Sequence, residues 1–176
     1  MSDDIFLIGP MATGKSVVGR KLAARLRVDF IDTDSEITRR NGSIADIFAT
    51  GGEPAFRTLE TAALQEAAAR PGTSVIATGG GAVLAPGNRE LLRTGFTVYL
   101  ETDLDTVRNR IAATGRPLLQ GDPLARWVEI FTAREGHYRA CATLTVDART
   151  GTVAELAEII VGAYRRRAST TGGITT

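Results

Sequence analysis

The run G-P-M-A-T-G-K-S at residues 9–16 constrains the fold of this chain more than any other feature, because it satisfies the pattern G-x-x-x-x-G-K-[ST]. An apolar run at residues 5–8 precedes it, and Val18, Leu22 and Leu26 follow it at the spacing of a helix that faces a sheet. Between a strand and a helix, this pattern folds as a phosphate-binding loop. The chain is therefore predicted to bind a nucleoside triphosphate.

The polar positions of this loop have predicted tasks. Backbone N–H groups of the loop and the positive end of the following helix surround the β-phosphate. Lys15 is expected to bridge the β- and γ-phosphates, and the Ser16 hydroxyl to bind Mg²⁺, which keeps several water ligands. Thr13 is expected to shape the loop. The predicted nucleotide-binding residues of the loop are Gly9, Ala12, Thr13, Gly14, Lys15, Ser16 and Val17.

Short apolar runs that alternate with helix-period stretches predict an α/β fold with a five-stranded parallel sheet in a three-layer α/β/α arrangement. At 176 residues, with 43% hydrophobic content, one domain is expected. Its predicted extent is 1–168, with a substrate-binding helical insert at about 33–62, a Gly- and Pro-rich lid at about 112–124 and a disordered tail at 169–176. The helical stretches of the insert are expected to break at Asn41-Gly42 and at Gly51-Gly52. The last helix is expected at 153–167. The predicted strands are 5–8, 28–31, 74–77, 97–100 and 143–146.

The nearly balanced charge argues against several classes of partner. With 21 basic and 20 acidic residues the net charge is +1, so no strong field attracts nucleic acid or anionic membranes. The single cysteine, Cys141, cannot form an internal disulfide, and no cluster of Cys and His has zinc-ligand spacing. No apolar stretch has the length of a signal peptide core or a membrane span. We therefore expect a cytoplasmic protein with small-molecule partners, no nucleic acid and no membrane.

Two carboxylates follow the second predicted strand, in the sequence Asp32-Thr33-Asp34. Open α/β sheets bind ligands at this carboxyl edge, beside the phosphate loop. One carboxylate is suited to hold Mg²⁺ through water, and the other to accept a hydroxyl proton from a phosphoryl acceptor. The alternative is that one of them caps the following helix, which is a preferred use of Asp.

Glycines and arginines supply further candidates. The run Gly79-Gly80-Gly81 follows the third strand and lets a ligand lie against the backbone, although a flexible turn explains it as well. Arg57, Arg116 and Arg134 can bind carboxylate or phosphate in a bidentate way. Solvated surface charge remains the alternative for each arginine, and Glu60 has the spacing of a helix-surface pair with Arg57. The chain has no N-K-x-D run of GTP switches and no hydrophobic-Asp-Glu strand end of motor ATPases, which favours a kinase.

Together these segments make the chain similar to the shikimate kinases over roughly residues 5–165. The resemblance implies an ATP-dependent phosphotransferase with an alcohol acceptor, on a nucleoside-monophosphate-kinase-like P-loop fold. Its reaction would phosphorylate the 3-hydroxyl of shikimate, a step toward chorismate and the aromatic amino acids. It also implies Mg²⁺ and a monomer. The matching motifs are G-P-M-A-T-G-K-S (9–16), D-T-D (32–34), S-I-A-D-I-F (43–48), F-R-x-x-E (56–60), G-G-G-A-V (79–83), R-P-L-L (116–119) and R-x-x-x-Y (134–138).

The resemblance also implies roles for single residues. Lys15, Asp34 and Arg116 are the implied catalytic residues: Asp34 holds the reacting hydroxyl, and Arg116 reaches the phosphates from the lid. Asp32 supports Mg²⁺ through water together with Ser16, and Glu60 orients Arg57. The implied substrate-binding residues are Asp34, Phe48, Phe56, Arg57, Glu60, Gly79, Gly80, Gly81 and Arg134.

The chain departs from the family pattern at two positions. Ala12 stands where relatives often carry glycine, and Asn109 stands where they often place an arginine against adenine. Arg108 and Arg110 flank Asn109, and Arg149 follows the last strand, so that adenine has several candidate contacts, of which Arg110 and Arg149 are the predicted ones. A kinase for another polyhydroxy acid, such as gluconate, and a nucleotide-sensing module without turnover are the alternative functions.

Overall fold

A five-stranded, all-parallel sheet forms the centre of the molecule, as the sequence predicts. The computed structural model describes residues 3–112, 117–119 and 121–171. The strand order is β2-β3-β1-β4-β5, so the strand before the phosphate loop lies in the middle. The strands are β1 (Ile5–Ile8), β2 (Asp29–Asp32), β3 (Ser74–Ala77), β4 (Phe96–Glu101) and β5 (Leu144–Asp147).

Seven α-helices among the described residues cover the two faces of the sheet, which gives the predicted three layers. The helices are α1 (Lys15–Leu26), α2 (Thr33–Asn41), α3 (Ile44–Ala68), α4 (Pro86–Thr94), α5 (Leu104–Ala112), α6 (Pro123–Cys141) and α7 (Val153–Thr171), with short 3₁₀ turns at Ala82–Leu84 and Pro117–Leu119.

Alternating residues of the central strand feed two separate apolar layers. Ile5 and Leu7 pack with residues of α1 and α7, whereas Phe6 and Ile8 pack with residues of α3, α4 and α6. All four residues of β1 are fully buried, as expected for a strand covered on both faces. The loop that follows β1 is therefore anchored on a buried strand that pairs with a neighbour on each side.

The insert between β2 and β3 is broken where its glycines predict. Helix α2 ends at Asn41, and Gly42 follows with φ of 86°. Helix α3 has its N-cap at Ser43, whose hydroxyl accepts a hydrogen bond from the Asp46 N–H at 3.1 Å, and it is kinked at Gly52, where φ is 67° and ψ is −171°. The kink divides α3 into a short first arm and a long second arm.

Some boundaries differ from the prediction. Strands β2 and β5 are displaced by one residue toward Asp32 and Asp147, because main-chain pairing extends past the apolar side chains that mark a strand in sequence. Helix α7 continues past Arg167 to Thr171, and the rest of the predicted tail lies outside the described residues. Of the predicted lid, residues 113–116 and 120 also lie outside them. Within the described part of the chain, we find no helix with the length and apolarity of a transmembrane segment.

Candidate active site

The Lys15 side chain bridges two backbone carbonyl groups of the phosphate loop. Gly9 and Gly14 have φ values of 144° and 93°, and a Cβ atom on Gly9 would lie 2.8 Å from the Leu100 carbonyl oxygen. The Lys15 Nζ donates to the carbonyl oxygens of Gly9 at 2.8 Å and Pro10 at 2.7 Å. The ammonium group thus lies across the loop, where phosphate oxygens would compete for its hydrogen bonds.

Neighbouring helices hold the outer side of this loop. Arg110 of α5 donates to the Ala12 carbonyl oxygen at 2.9 Å, and Trp127 of α6 donates through its indole N–H to the Met11 carbonyl oxygen at 3.1 Å. The Thr13 hydroxyl donates to the Pro10 carbonyl oxygen, in keeping with its predicted shaping role. Ala12 itself has φ of 69°, a left-handed conformation that favours glycine.

Asp32 caps the following helix, which was the alternative that its sequence position left open, and it also contacts Ser16. One carboxylate oxygen accepts from the Ser35 N–H at 3.1 Å and caps α2, while the other accepts from the Ser16 hydroxyl at 2.5 Å. A hydroxyl and a carboxylate oxygen therefore lie side by side at the start of α1. Hard oxygen donors of this kind are the ligands that Mg²⁺ prefers.

Two cavities open at the carboxyl edge of the sheet and share one wall. The P-loop cavity, of about 560 Å³, lies over the phosphate loop and extends to Ala148, Gly151 and Leu156 after β5. The insert cavity, of about 510 Å³, lies between the loop and the insert. The two cavities therefore adjoin beside the phosphate loop. The wall consists of Met11, Ser16, Asp32, Asp34 and Gly80.

The insert cavity brings together all the residues that the resemblance assigns to substrate. Phe48 and Phe56 stand on the two arms of α3, with ring centroids 5.1 Å apart. The kink at Gly52 brings these rings together. The assigned residues that line the cavity are Asp34, Phe48, Phe56, Arg57, Glu60, Gly79, Gly80, Gly81 and Arg134.

Arg57 is held by two glutamates. Its guanidinium donates to Glu60 at 2.6 Å and to Glu53 at 2.9 Å. Glu60 is only 2% exposed, and burial raises the pKa of its carboxyl group, although Arg57 opposes the shift. Its second oxygen, Oε1, is buried without a hydrogen-bond partner among the described residues. The buried Glu60 carboxylate thus fixes the position of the Arg57 guanidinium.

The glycine run is needed because charged groups lie directly against its backbone. A Cβ atom on Gly79 would lie 2.7 Å from Asp34 Oδ1 and would overlap Glu60. A Cβ atom on Gly81 would overlap the guanidinium of Arg57. Close packing against the side chains of the site, rather than turn flexibility, therefore requires glycine at Gly79 and Gly81.

Arg134 supplies a second buried cation. It lies on α6 and is 5% exposed, and burial lowers the pKa of its guanidinium, although Tyr138 opposes the shift. Tyr138, one turn later, donates its hydroxyl proton to the Gly80 carbonyl oxygen at 2.5 Å. Tyr138 belongs to the motif R-x-x-x-Y, but the resemblance implied no role for this residue.

Not every predicted nucleotide contact lies in the P-loop cavity. Val17 and Arg110 line it, but Arg149 does not. Arg149 instead donates two hydrogen bonds of 2.8 Å to Asp147, and this pairing lowers the pKa of the Asp147 carboxyl group to about 2. Arg116 lies outside the described residues. Sequence reasoning gave no role to Met11, which occupies a variable position of the phosphate-loop motif. It also missed Thr78 and the wall after β5, which belong to no motif.

Comparisons with known proteins point to one family. A sequence model of the family described as Shikimate kinase matches residues 11–165. The shikimate kinase of Thioalkalivibrio sulfidiphilus is 45% identical over 168 residues, covering 93% of this chain and 88% of the relative. That of Thermobifida fusca is 46% identical over 157 residues, covering 88% and 90%.

Solved structures agree. The shikimate kinase from Acinetobacter baumannii in complex with shikimate superimposes with a TM-score of 0.86 at 36% identity, over 99% of this chain and 97% of that one. A gluconokinase from Sinorhizobium meliloti gives a TM-score of 0.64 at 21% identity, over 99% and 98%, a likeness of fold alone.

Proposed function

The chain belongs to the shikimate kinase family, and from this premise we propose that it transfers the γ-phosphate of ATP to the 3-hydroxyl of shikimate. The products are shikimate 3-phosphate and ADP. The observation that carries the proposal is the wall shared by the two cavities, where Asp34 and the phosphate loop meet. A phosphoryl donor and its acceptor need such a junction, because the reacting atoms must lie in line and in contact.

The acceptor side fits a small hydroxylated ring acid. Arg57 and Arg134 provide two guanidinium groups for a carboxylate, and the Phe48 and Phe56 rings provide an apolar wall for a carbon ring. The free oxygen of Glu60 provides an acceptor for a ring hydroxyl. This combination of cations, aromatic rings and carboxylates is what the shape and chemistry of shikimate require.

Asp34 is proposed to align the reacting hydroxyl. Its carboxylate borders both cavities and lies against Gly79. The hydroxyl oxygen forms a bond to the γ-phosphorus, the bond from that phosphorus to the bridging oxygen of ADP breaks, and the hydroxyl proton passes to Asp34. Since phosphoryl transfer needs little covalent help, positioning is the larger part of this role.

Lys15 is proposed to bind the β- and γ-phosphates by exchanging its two carbonyl partners for phosphate oxygens. Arg110 is held at the rim of the same cavity by the Ala12 carbonyl oxygen and is the proposed adenine-side contact. Arg149 would have to leave Asp147 to reach a nucleotide. The role of Arg116 as a lid residue that neutralises the phosphates rests on the resemblance.

Mg²⁺ is the metal that this donor set fits. The Ser16 hydroxyl would bind it directly and Asp32 through water, since these two oxygens already lie 2.5 Å apart. When bound, Mg²⁺ neutralises charge on the phosphates. We also propose a cytoplasmic location and a monomeric state, and sedimentation of the purified chain tests the latter.

The first experiment is to measure ADP formation from Mg²⁺-ATP with shikimate, with gluconate and with no acceptor. We expect turnover with shikimate but not with gluconate or without an acceptor. Asp34→Asn should lose at least 100-fold in kcat/KM. Asp105→Asn is the matched control, because the Asp105 side chain is 87% exposed and pairs with Arg108. Turnover with gluconate would support the alternative acceptor, and acceptor-independent nucleotide binding without turnover would support the sensing module.

A further inference from the structure

We propose that Tyr138 is a positioning residue of the acceptor site, whose hydroxyl sets the Gly80 peptide and the Arg134 guanidinium in place for shikimate. The inference rests on the proposed function and deepens it. Tyr138 does not line the insert cavity, so it acts through the two residues that do.

The hydroxyl links two parts of the site that are distant in sequence. Tyr138 and Arg134 lie one turn apart on the same face of α6, and burial raises the pKa of the Tyr138 hydroxyl although the charge of Arg134 opposes the shift. The Tyr138 hydroxyl donates its proton to the Gly80 carbonyl oxygen at 2.5 Å. Tyr138 therefore joins the glycine run to the helix that carries Arg134.

The bond to Gly80 orients more than one atom. In a trans peptide the C=O of one residue and the N–H of the next point in opposite directions. When Tyr138 fixes the Gly80 carbonyl, it also fixes the N–H of Gly81, another residue of the insert cavity. Glycine backbone has the widest conformational freedom, so an external hydrogen bond has a larger ordering effect here than at other residues.

Burial beside Tyr138 keeps Arg134 from adapting freely. Arg134 is 5% exposed, and a flexible cation would lose rotamer freedom each time it bound a carboxylate. A buried guanidinium that lies near the Tyr138 hydroxyl has lost part of this freedom before the ligand arrives. Preorganisation of this kind increases affinity without adding a contact to the ligand.

Tyr99 provides a matched control inside the protein. Its ring stacks on that of Tyr138 with centroids 5.4 Å apart, and both residues are at most 1% exposed. The Tyr99 hydroxyl, however, has no hydrogen-bond partner in the described part of the chain. Removing either hydroxyl leaves the stacked rings in place, but only the change at Tyr138 breaks the link to the acceptor site.

The test compares Tyr138→Phe with Tyr99→Phe by steady-state kinetics and by calorimetric binding of shikimate, well below the unfolding temperature of each variant. For Tyr138→Phe we expect KM and Kd for shikimate to rise roughly tenfold, with KM for ATP unchanged and kcat within threefold of the wild type. For Tyr99→Phe we expect all four constants to stay within twofold.

A double-mutant cycle distinguishes a positioning role of Tyr138 from a role in packing alone. With Arg134→Lys as the second change, the effects on the Kd for shikimate should be strongly non-additive for Tyr138 and additive for Tyr99. Equal effects of the two Phe variants, a change confined to kcat, or additivity at Tyr138 would overturn the proposal. If the wild type uses gluconate instead of shikimate, the proposed function fails, and the same comparison on the gluconate constants decides the role of Tyr138.

Discussion

Ala12 occupies a backbone conformation that costs an alanine free energy. Its φ of 69° lies in the left-handed region, where the close contact between Cβ and the following carbonyl oxygen costs about 1–2 kcal/mol. The Arg110 guanidinium holds the Ala12 carbonyl oxygen and thereby stabilises the conformation that the loop needs.

We predict that Ala12→Gly raises the free energy of unfolding by about 1 kcal/mol, because relief of the crowding exceeds the entropy gained by the unfolded chain. Urea unfolding measures the change. Ala133→Gly, at an exposed position inside α6, should lower the same quantity by about 1 kcal/mol. A loss of stability in Ala12→Gly that matches the control would show that the positive φ carries no strain.

The residues of the site differ in how far sequence specifies them. The phosphate loop is local, so its pattern identified Lys15 and Ser16 directly. Asp34 and the glycine run could be predicted from the rule that the carboxyl ends of parallel strands lie at one edge of the sheet. Tyr138 meets Gly80 across 58 positions, and such contacts depend on packing that no short motif records. Arg149 forms an ion pair with the nearby carboxylate of Asp147, and no signal in the sequence indicated that this pair would form instead of a nucleotide contact.

At the scale of elements, α3 has two tasks that a straight helix cannot combine. Its first arm carries Phe48, and its second arm carries Phe56, Arg57 and Glu60. The change of direction occurs at Gly52, whose φ of 67° and ψ of −171° are accessible to glycine but strained for other residues. The geometry of the insert cavity therefore depends on one glycine outside it.

We predict that Gly52→Ala raises KM for shikimate several-fold and lowers the free energy of unfolding by about 1–3 kcal/mol, while KM for ATP stays unchanged. Gly136→Ala is the matched control. Gly136 lies within α6 with open space around its Cα, so alanine there should stabilise the protein by about 0.5–1 kcal/mol without altering either KM. A Gly52→Ala enzyme with the kinetics of the wild type would show that the kink does not position the Phe48 arm.

Sequence predicted the elements more completely than their ends. The five strands and the breaks at Gly42 and Gly52 were predicted, because apolar runs and positive-φ glycines are strong local signals. The last turn of α7 was missed because it lies beyond the apolar face that predicts this helix. The helix continues to Thr171, and no Gly or Pro lies between Arg167 and Thr171 to end it.

At the scale of the whole molecule, the two cavities make the protein a binder of two ligands through separate sets of cations. Lys15 belongs to the P-loop cavity, whereas Arg57 and Arg134 belong to the insert cavity. Each ligand should therefore stabilise the fold by itself. At 100 times its Kd, a ligand adds about 2.7 kcal/mol to the free energy of unfolding.

In a thermal unfolding experiment we predict that shikimate and a non-hydrolysable ATP analogue with Mg²⁺ each raise Tm by about 5–10 °C. Arg57→Ala should abolish the shift caused by shikimate and keep that caused by the nucleotide. Lys15→Ala should show the opposite pattern. Loss of both shifts in either variant would contradict the separation of the two sites.

The central place of β1 in the sheet has a consequence while the chain is being made. Ile5 pairs with Val75 on one side and with Phe96 on the other, so the neighbours of β1 leave the ribosome long after it does. At about 5–20 residues per second, several seconds pass between them. The nascent chain thus carries the ATP-binding motif before the strands that flank β1 exist, and it gains its fold only after β4 has emerged. Nucleotide in the cell can stabilise the finished enzyme, but it has no site on the early chain.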